Sequence, residues 1–314
     1  MAVRASNINN MAPSYIQLHK KGILAQRVRD AVSMLEECRL CPRKCGINRL
    51  EGENGFCRMG RWARVASYNA HFGEEPPLVG TNGSGTIFFS SCNLLCSFCQ
   101  NFEISHLNKG FKAGPKQIAA MMIQLSDNGC HNINFVTPTH FIPQILEALE
   151  IAVENGLSIP LVYNSSGYDS RESLVLLEEI FDIYMPDFKF WDNNWSEQYC
   201  QVSDYREVAC SAVIEMHRQV GDLVTDDRGI AEKGLLIRHL VMPEGVSGTE
   251  DIMRFIAENI SQNSYINVMD QYRPCGSVYN DEFINRYLTK EEYMEALDSV
   301  HRAGLLRLDP RHRI

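Results

Sequence analysis

Two hydrophobic periods take turns along this chain, and the switch between them predicts its elements. Residues 22–37 carry apolar groups at helical spacing and predict a helix, after a stretch, 1–21, expected to be loosely ordered. A compact Cys- and Gly-rich stretch, 38–60, and a Gly/Pro-rich loop, 73–85, follow. Beyond them, short apolar runs predict strands at 86–90, 133–137, 159–164, within 181–190, at 234–243 and at 265–272. Helical periodicity predicts helices at 115–129, 141–156, 171–180, within 204–219, at 248–260 and at 289–304. Gly129 and Gly156 stop the first two of these.

Six strand-then-helix units in a row predict parallel strands with helical crossovers. The expected fold class is α/β, a partial (β/α)6 barrel with a small N-terminal Cys-rich segment. The expected division places the N-terminal helix and four-Cys segment in 1–72 and the core in 73–314. In such folds the reactive groups sit at the C-terminal ends of strands. The residues that follow the apolar strand cores here are Cys92, Thr137, Asn164, Asp187, Met242 and Gln271.

Composition narrows the function. The chain has 314 residues, 45% of them hydrophobic, enough for one large domain or a domain with an appendage. Its formal charge is −9, and it has no basic tract of the kind that follows a phosphate backbone, so no nucleic-acid partner is expected. No apolar run reaches the length of a membrane span, and the opening residues lack the apolar core of a signal peptide. A cytoplasmic location with no membrane partner is the expectation. In that reducing compartment the 11 cysteines point to metal binding or catalysis rather than disulfides. Seven lie between Cys38 and Cys99 in two tight groups; Cys130, Cys200, Cys210 and Cys275 read as small buried apolar residues.

The second group, Cys92, Cys96 and Cys99, leaves the first strand of the repeated pattern with Cys-x3-Cys-x2-Cys spacing. Closely spaced thiolates are the signature of an iron–sulfur cluster. Three local ligands on a four-iron cube leave one iron open to a substrate or cofactor. A carrier cluster or a structural zinc would call for a fourth protein ligand. The first group, Cys38, Cys41, Cys45 and Cys57, supplies four thiolates in a Gly-rich stretch with few apolar groups of its own. It reads as a closed site for zinc or for a second Fe–S cluster, structural or an electron relay.

At Cys92, Cys96, Phe98 and Cys99 the chain resembles the radical S-adenosylmethionine (SAM) superfamily, whose loop reads Cys-x3-Cys-x-aromatic-Cys. The resemblance covers roughly 83–275. With CPRKCGINRLEGENGFCRMG, HFGEEPP, NINFVTPTHF, MPDFKFWD, IRHLVMP and MDQYRP it is similar to pyruvate formate-lyase-activating-enzyme-like proteins. It implies a [4Fe-4S] cluster that cleaves SAM reductively to a 5′-deoxyadenosyl radical, which abstracts hydrogen from a substrate. That substrate is a glycine of a partner protein in activating enzymes, and a small molecule is the other option. An electron donor such as flavodoxin or ferredoxin is implied too. Carried over by position, Asp187 and Lys189 face SAM, Arg238 reaches it from the fifth strand, and Asn164 lies near the ribose. Gln271 or Tyr272 approaches the adenine, and Phe98 walls it. The family's Gly-Gly-Glu after the second strand is here Thr137-Pro138-Thr139-His140, so oxygens of Thr137 and Thr139 are candidates to receive the SAM amine. The competing reading is a non-catalytic Fe–S or zinc protein, a carrier or sensor. A zinc hydrolase at the first Cys group lacks the His-Glu pair that water activation needs.

Overall fold

A computed structural model describes residues 12–311. Its centre is a nine-stranded sheet. The strands are β1 (Ala63–His71), β2 (Ser84–Phe89), β3 (Phe111–Ala113), β4 (Ile133–Val136), β5 (Leu161–Ser165), β6 (Ile183–Pro186), β7 (Val224–Thr225), β8 (Ala231–Leu240) and β9 (Tyr265–Met269). Six of them, β2, β4, β5, β6, β8 and β9, pair in parallel and in chain order. Sequential parallel neighbours joined by helices make the partial (β/α)6 barrel that the pattern predicts. The main crossover helices are Pro115–Asp127, Ile142–Glu154, Arg171–Leu176, Tyr205–Val220 and Thr249–Asn259, and Lys290–Arg302 follows β9.

Parallel strands must bury both faces, and alternation along the strands does this. Tyr163, Tyr184 and Ile237 join the main core beneath the helices, whereas Val162, Ile183, Met185 and Leu236 form a second cluster on the opposite face with Leu78. Leu78 belongs to the helical turn Pro76–Val79, so the HFGEEPP segment, read as a loop, enters the barrel and helps to fill it.

One reading changes. Ser14–Lys20, expected to be loose, is a helix; Tyr15 is fully buried and its hydroxyl donates to Ile159 O at 2.8 Å. β1 and β3 were not legible. β1 alternates weakly because one of its faces is half exposed, and it pairs antiparallel with β2 and β3. The sheet therefore crosses position 72, and the main core runs from Tyr15 to Leu305 without a break at that point. Among the described residues no helix is long and apolar enough to cross a membrane.

Candidate functional site

The loop after β2 carries the cysteine triplet over the C-terminal ends of the parallel strands. Ser91 and Leu95, on this loop, and Thr137, at the end of β4, hold left-handed backbone angles of +70°, +50° and +61°. Such angles cost of order 1 kcal/mol or more for residues with a Cβ, most for a β-branched one, and cluster where function over-determines the backbone. All three residues border one cavity of about 250 Å³. Cys92, Cys96 and Cys99 border it too, together with Phe98, Thr137, Asn164, Asp187, Lys189, Arg238 and Gln271. Strands distant in sequence thus bring seven of the eight expected cofactor residues together.

The eighth, Thr139, stands elsewhere. It is buried and donates to Asp169 Oδ1 at 2.6 Å. The same carboxylate accepts from Tyr163 at 2.9 Å and from Ser165 at 2.6 Å, so this buried acid ties β5 to the turn after β4. Thr139 is spent on that knot. His140, next to it, is also buried; burial and the Arg49 charge lower its pKa to about 3, so it stays neutral. Phe98 lies at the cavity wall with its ring against Phe190, Tyr199 and Tyr272.

An ion network lines one side of the cavity. Asp187 accepts from Lys189 Nζ at 2.5 Å and from Arg238 Nε at 2.8 Å. Arg238 also donates to Asn164 Oδ1 at 2.8 Å, and Glu74 stands 3.6 Å from it. Burial pushes the Asp187 carboxyl up, but Arg238 and Lys189 outweigh it and hold it below the usual carboxylate range. Lys189 and Arg238 put two cations on the cavity wall that can donate to an anionic ligand group, with Asp187 and Glu74 balancing their charge. Behind them, Glu75 is buried, accepts from Asn267 at 2.7 Å and faces Arg311 at 3.3 Å. Both acids act electrostatically on Arg238. Their only trace in the sequence was the acidic pair inside HFGEEPP. Gly167 is equally constrained: φ is +76°, and a Cβ there would meet Asp187 O at 2.2 Å.

Burial raises Cys92 to about 12 and also raises Cys99; Cys96 is pushed well up by the Cys200 thiol beside it and then by burial. As bare thiols these groups keep their protons, and an iron centre would take the protons' place. The loop already supplies donors to sulfur: Leu94 N–H to Cys92 Sγ at 3.3 Å and Ser105 Oγ to Cys99 Sγ at 3.2 Å. Three thiols on one wall, sulfur-directed donors and a neighbouring lysine fit a cluster with one open iron. The place of Cys200 against Cys96 was missed in the sequence, where it read as an isolated packing residue.

Cys38, Cys41, Cys45 and Cys57 border a second, small cavity. Burial raises Cys41 to about 12 and also raises Cys57. Among the described residues no three His, Cys, Asp or Glu side chains are set closely enough to hold a single metal ion as they stand.

No family model matches the chain. An uncharacterized protein of Methanocaldococcus jannaschii is 34% identical over 296 residues, covering 91% of this chain and 80% of that protein. Among solved structures, a domain of pyruvate-formate lyase-activating enzyme from Bacteroides vulgatus has 13% identity and a TM-score of 0.36, covering 62% of this chain and 89% of that one. Methylornithine synthase has 14% identity and a TM-score of 0.40, covering 73% of each chain.

Proposed function

We propose that this chain, which belongs to the same family as the Methanocaldococcus jannaschii protein, is a radical SAM enzyme. One observation carries the reading: three cysteines of a single loop share a cavity with Asp187, Lys189 and Arg238 at the C-terminal ends of parallel strands. A [4Fe-4S] cluster bound there would supply the electron that cleaves SAM to the hydrogen-abstracting 5′-deoxyadenosyl radical. Cys92, Cys96 and Cys99 hold that cluster. Lys189 keeps two donors beyond its bond to Asp187 and can pair with the SAM carboxylate as a point charge. Asp187 and Asn164 orient Arg238 at the cavity wall, and Phe98 bounds the apolar side. The strained backbone at Thr137 presents oxygens to the SAM amine.

Anaerobically reconstituted protein should show a [4Fe-4S] signal in electron paramagnetic resonance that shifts on adding SAM, and should form 5′-deoxyadenosine when reduced. Replacing Cys92, Cys96 and Cys99 together by Ala should abolish the SAM-sensitive signal, and its survival would overturn the reading. The likeness of the sequence motifs to activating enzymes supports a glycine of a partner protein as hydrogen donor, with ferredoxin or flavodoxin as reductant. A glycyl-radical signal on mixing with partner proteins of the same cell tests this. Deoxyadenosine formed with a metabolite and never with a protein would redirect it.

A further inference from the structure

We infer that Cys38, Cys41, Cys45 and Cys57 hold a second iron–sulfur cluster, ligated entirely by protein, rather than a zinc ion. The inference stands apart from the reading of the first loop, because it uses a different set of thiols and a different cavity.

All four cysteines border one cavity, closed on its other sides by Phe56, Arg43 and Asn93. One of the sulfurs also has a backbone donor: Phe56 N–H points to Cys45 Sγ at 3.5 Å. Amide hydrogens aimed at sulfur stabilise thiolates and tune clusters. They have little to offer neutral packed thiols. Gly55 permits the arrangement, since a Cβ there would come within 2.8 Å of Cys45 Sγ. A further buried group bears on the same cavity. The His140 ring borders it; Nε2 bonds to Ser90 O at 3.1 Å, and Nδ1 has no partner among the described residues. With Nε2 as donor, Nδ1 is a buried, unpaired acceptor beside the thiols.

Spacing separates iron–sulfur from zinc. Zinc binds four sulfurs at about 2.3 Å, which draws them around a single point. These four surround a common void, and no three ligand groups among the described residues converge on one ion. The Cys92 loop has the same property. A four-iron cube ligates each thiolate through a different iron, so its sulfurs stand apart with the core between them. The site also backs onto the first loop: Ser91 Oγ donates to Cys57 O, and Arg43 Nε donates to Asn93 O at 3.0 Å. With four protein ligands it offers no open iron to SAM.

The test is metal and sulfide analysis after anaerobic reconstitution of the full chain, with zinc present as competitor. The intact chain should hold about eight iron and eight sulfide. The Cys92/Cys96/Cys99→Ala variant should keep about four of each, with a signal that SAM does not move. One zinc per chain without sulfide, or neither metal in a variant with native circular dichroism, would overturn the assignment. Should that variant not fold, Cys41→Ala in an otherwise intact chain decides. Loss of about half the iron with the SAM-sensitive signal retained supports the second cluster, and full retention of iron refutes it.

Discussion

Arg238 shows how much one side chain can be asked to do. Its Nε holds Asp187 while its Nη2 holds Asn164, and Glu74 closes the far side. Only a planar fork can make both bonds at once, so Lys is a poor substitute. Arg238→Ala also strips a cation from beside two largely buried acids. Both Arg238→Ala and Arg238→Lys should weaken SAM binding about ten- to a hundredfold while the cluster still assembles. Equilibrium binding of SAM to reconstituted protein, with iron content as the control, checks this. Unchanged affinity in both variants would place Arg238 outside the binding surface.

At the scale of elements, the two ends of the barrel divide the labour. The C-terminal ends of β2, β4, β5, β6 and β8 carry the cavity, and the opposite ends carry stability. Asp182, just before β6, accepts from Leu161 N–H at 3.0 Å, and burial raises its carboxyl to about 7. The unfolded chain releases this proton near the ordinary value of 3.8, and the folded chain keeps it to about 7. Between those values the folded state binds more protons, so this group's contribution to stability falls as pH rises. Asp182→Asn removes that fall. The variant should gain on the wild type by up to roughly 4 kcal/mol between pH 4 and pH 8, read from denaturant midpoints. A difference between the two proteins that does not change with pH would refute the assignment.

At the scale of the whole molecule, the N-terminal segment is seated on the barrel by two guanidinium groups, one of them fully buried. Arg49 is fully buried and donates to Gly60 O and to His140 O, at 2.9 and 2.8 Å through its two Nη groups. Arg43 reaches the carbonyls of Asn93, Cys200 and Gln201. These bonds join the four-cysteine stretch to the turn after β4, to the Cys92 loop and to the end of the helix Asn193–Cys200. Arg49→Ala leaves buried carbonyls without donors and opens a void. It should cost roughly 3–5 kcal/mol and loosen the N-terminal segment first. Limited proteolysis with hydrogen exchange measures both; uniform loss of protection would argue against a separate seating role.

The parts of this protein that depend on neighbours in sequence were determined by the sequence itself. The six strand–helix units follow from period, because a parallel strand buried on both faces and an amphipathic helix leave different apolar spacings. The cysteine loop follows from local ligand spacing, and Asp187, Asn164 and Gln271 from their places after strand cores. Arg238, inside a strand, came through family resemblance. Other features hang on pairs far apart in the chain, and only the tertiary structure decided them. β1 becomes a strand because β2 and β3 complete its hydrogen bonds, which its own half-exposed pattern could not announce. Glu74 and Glu75 meet Arg238, and Cys200 meets Cys96, across more than a hundred residues. Thr139 carries the same hydroxyl as Thr137 two positions earlier, yet the buried Asp169 claims it. Which polar group faces a cavity is settled by competition among partners that burial brings together, and that competition begins only once the chain has folded.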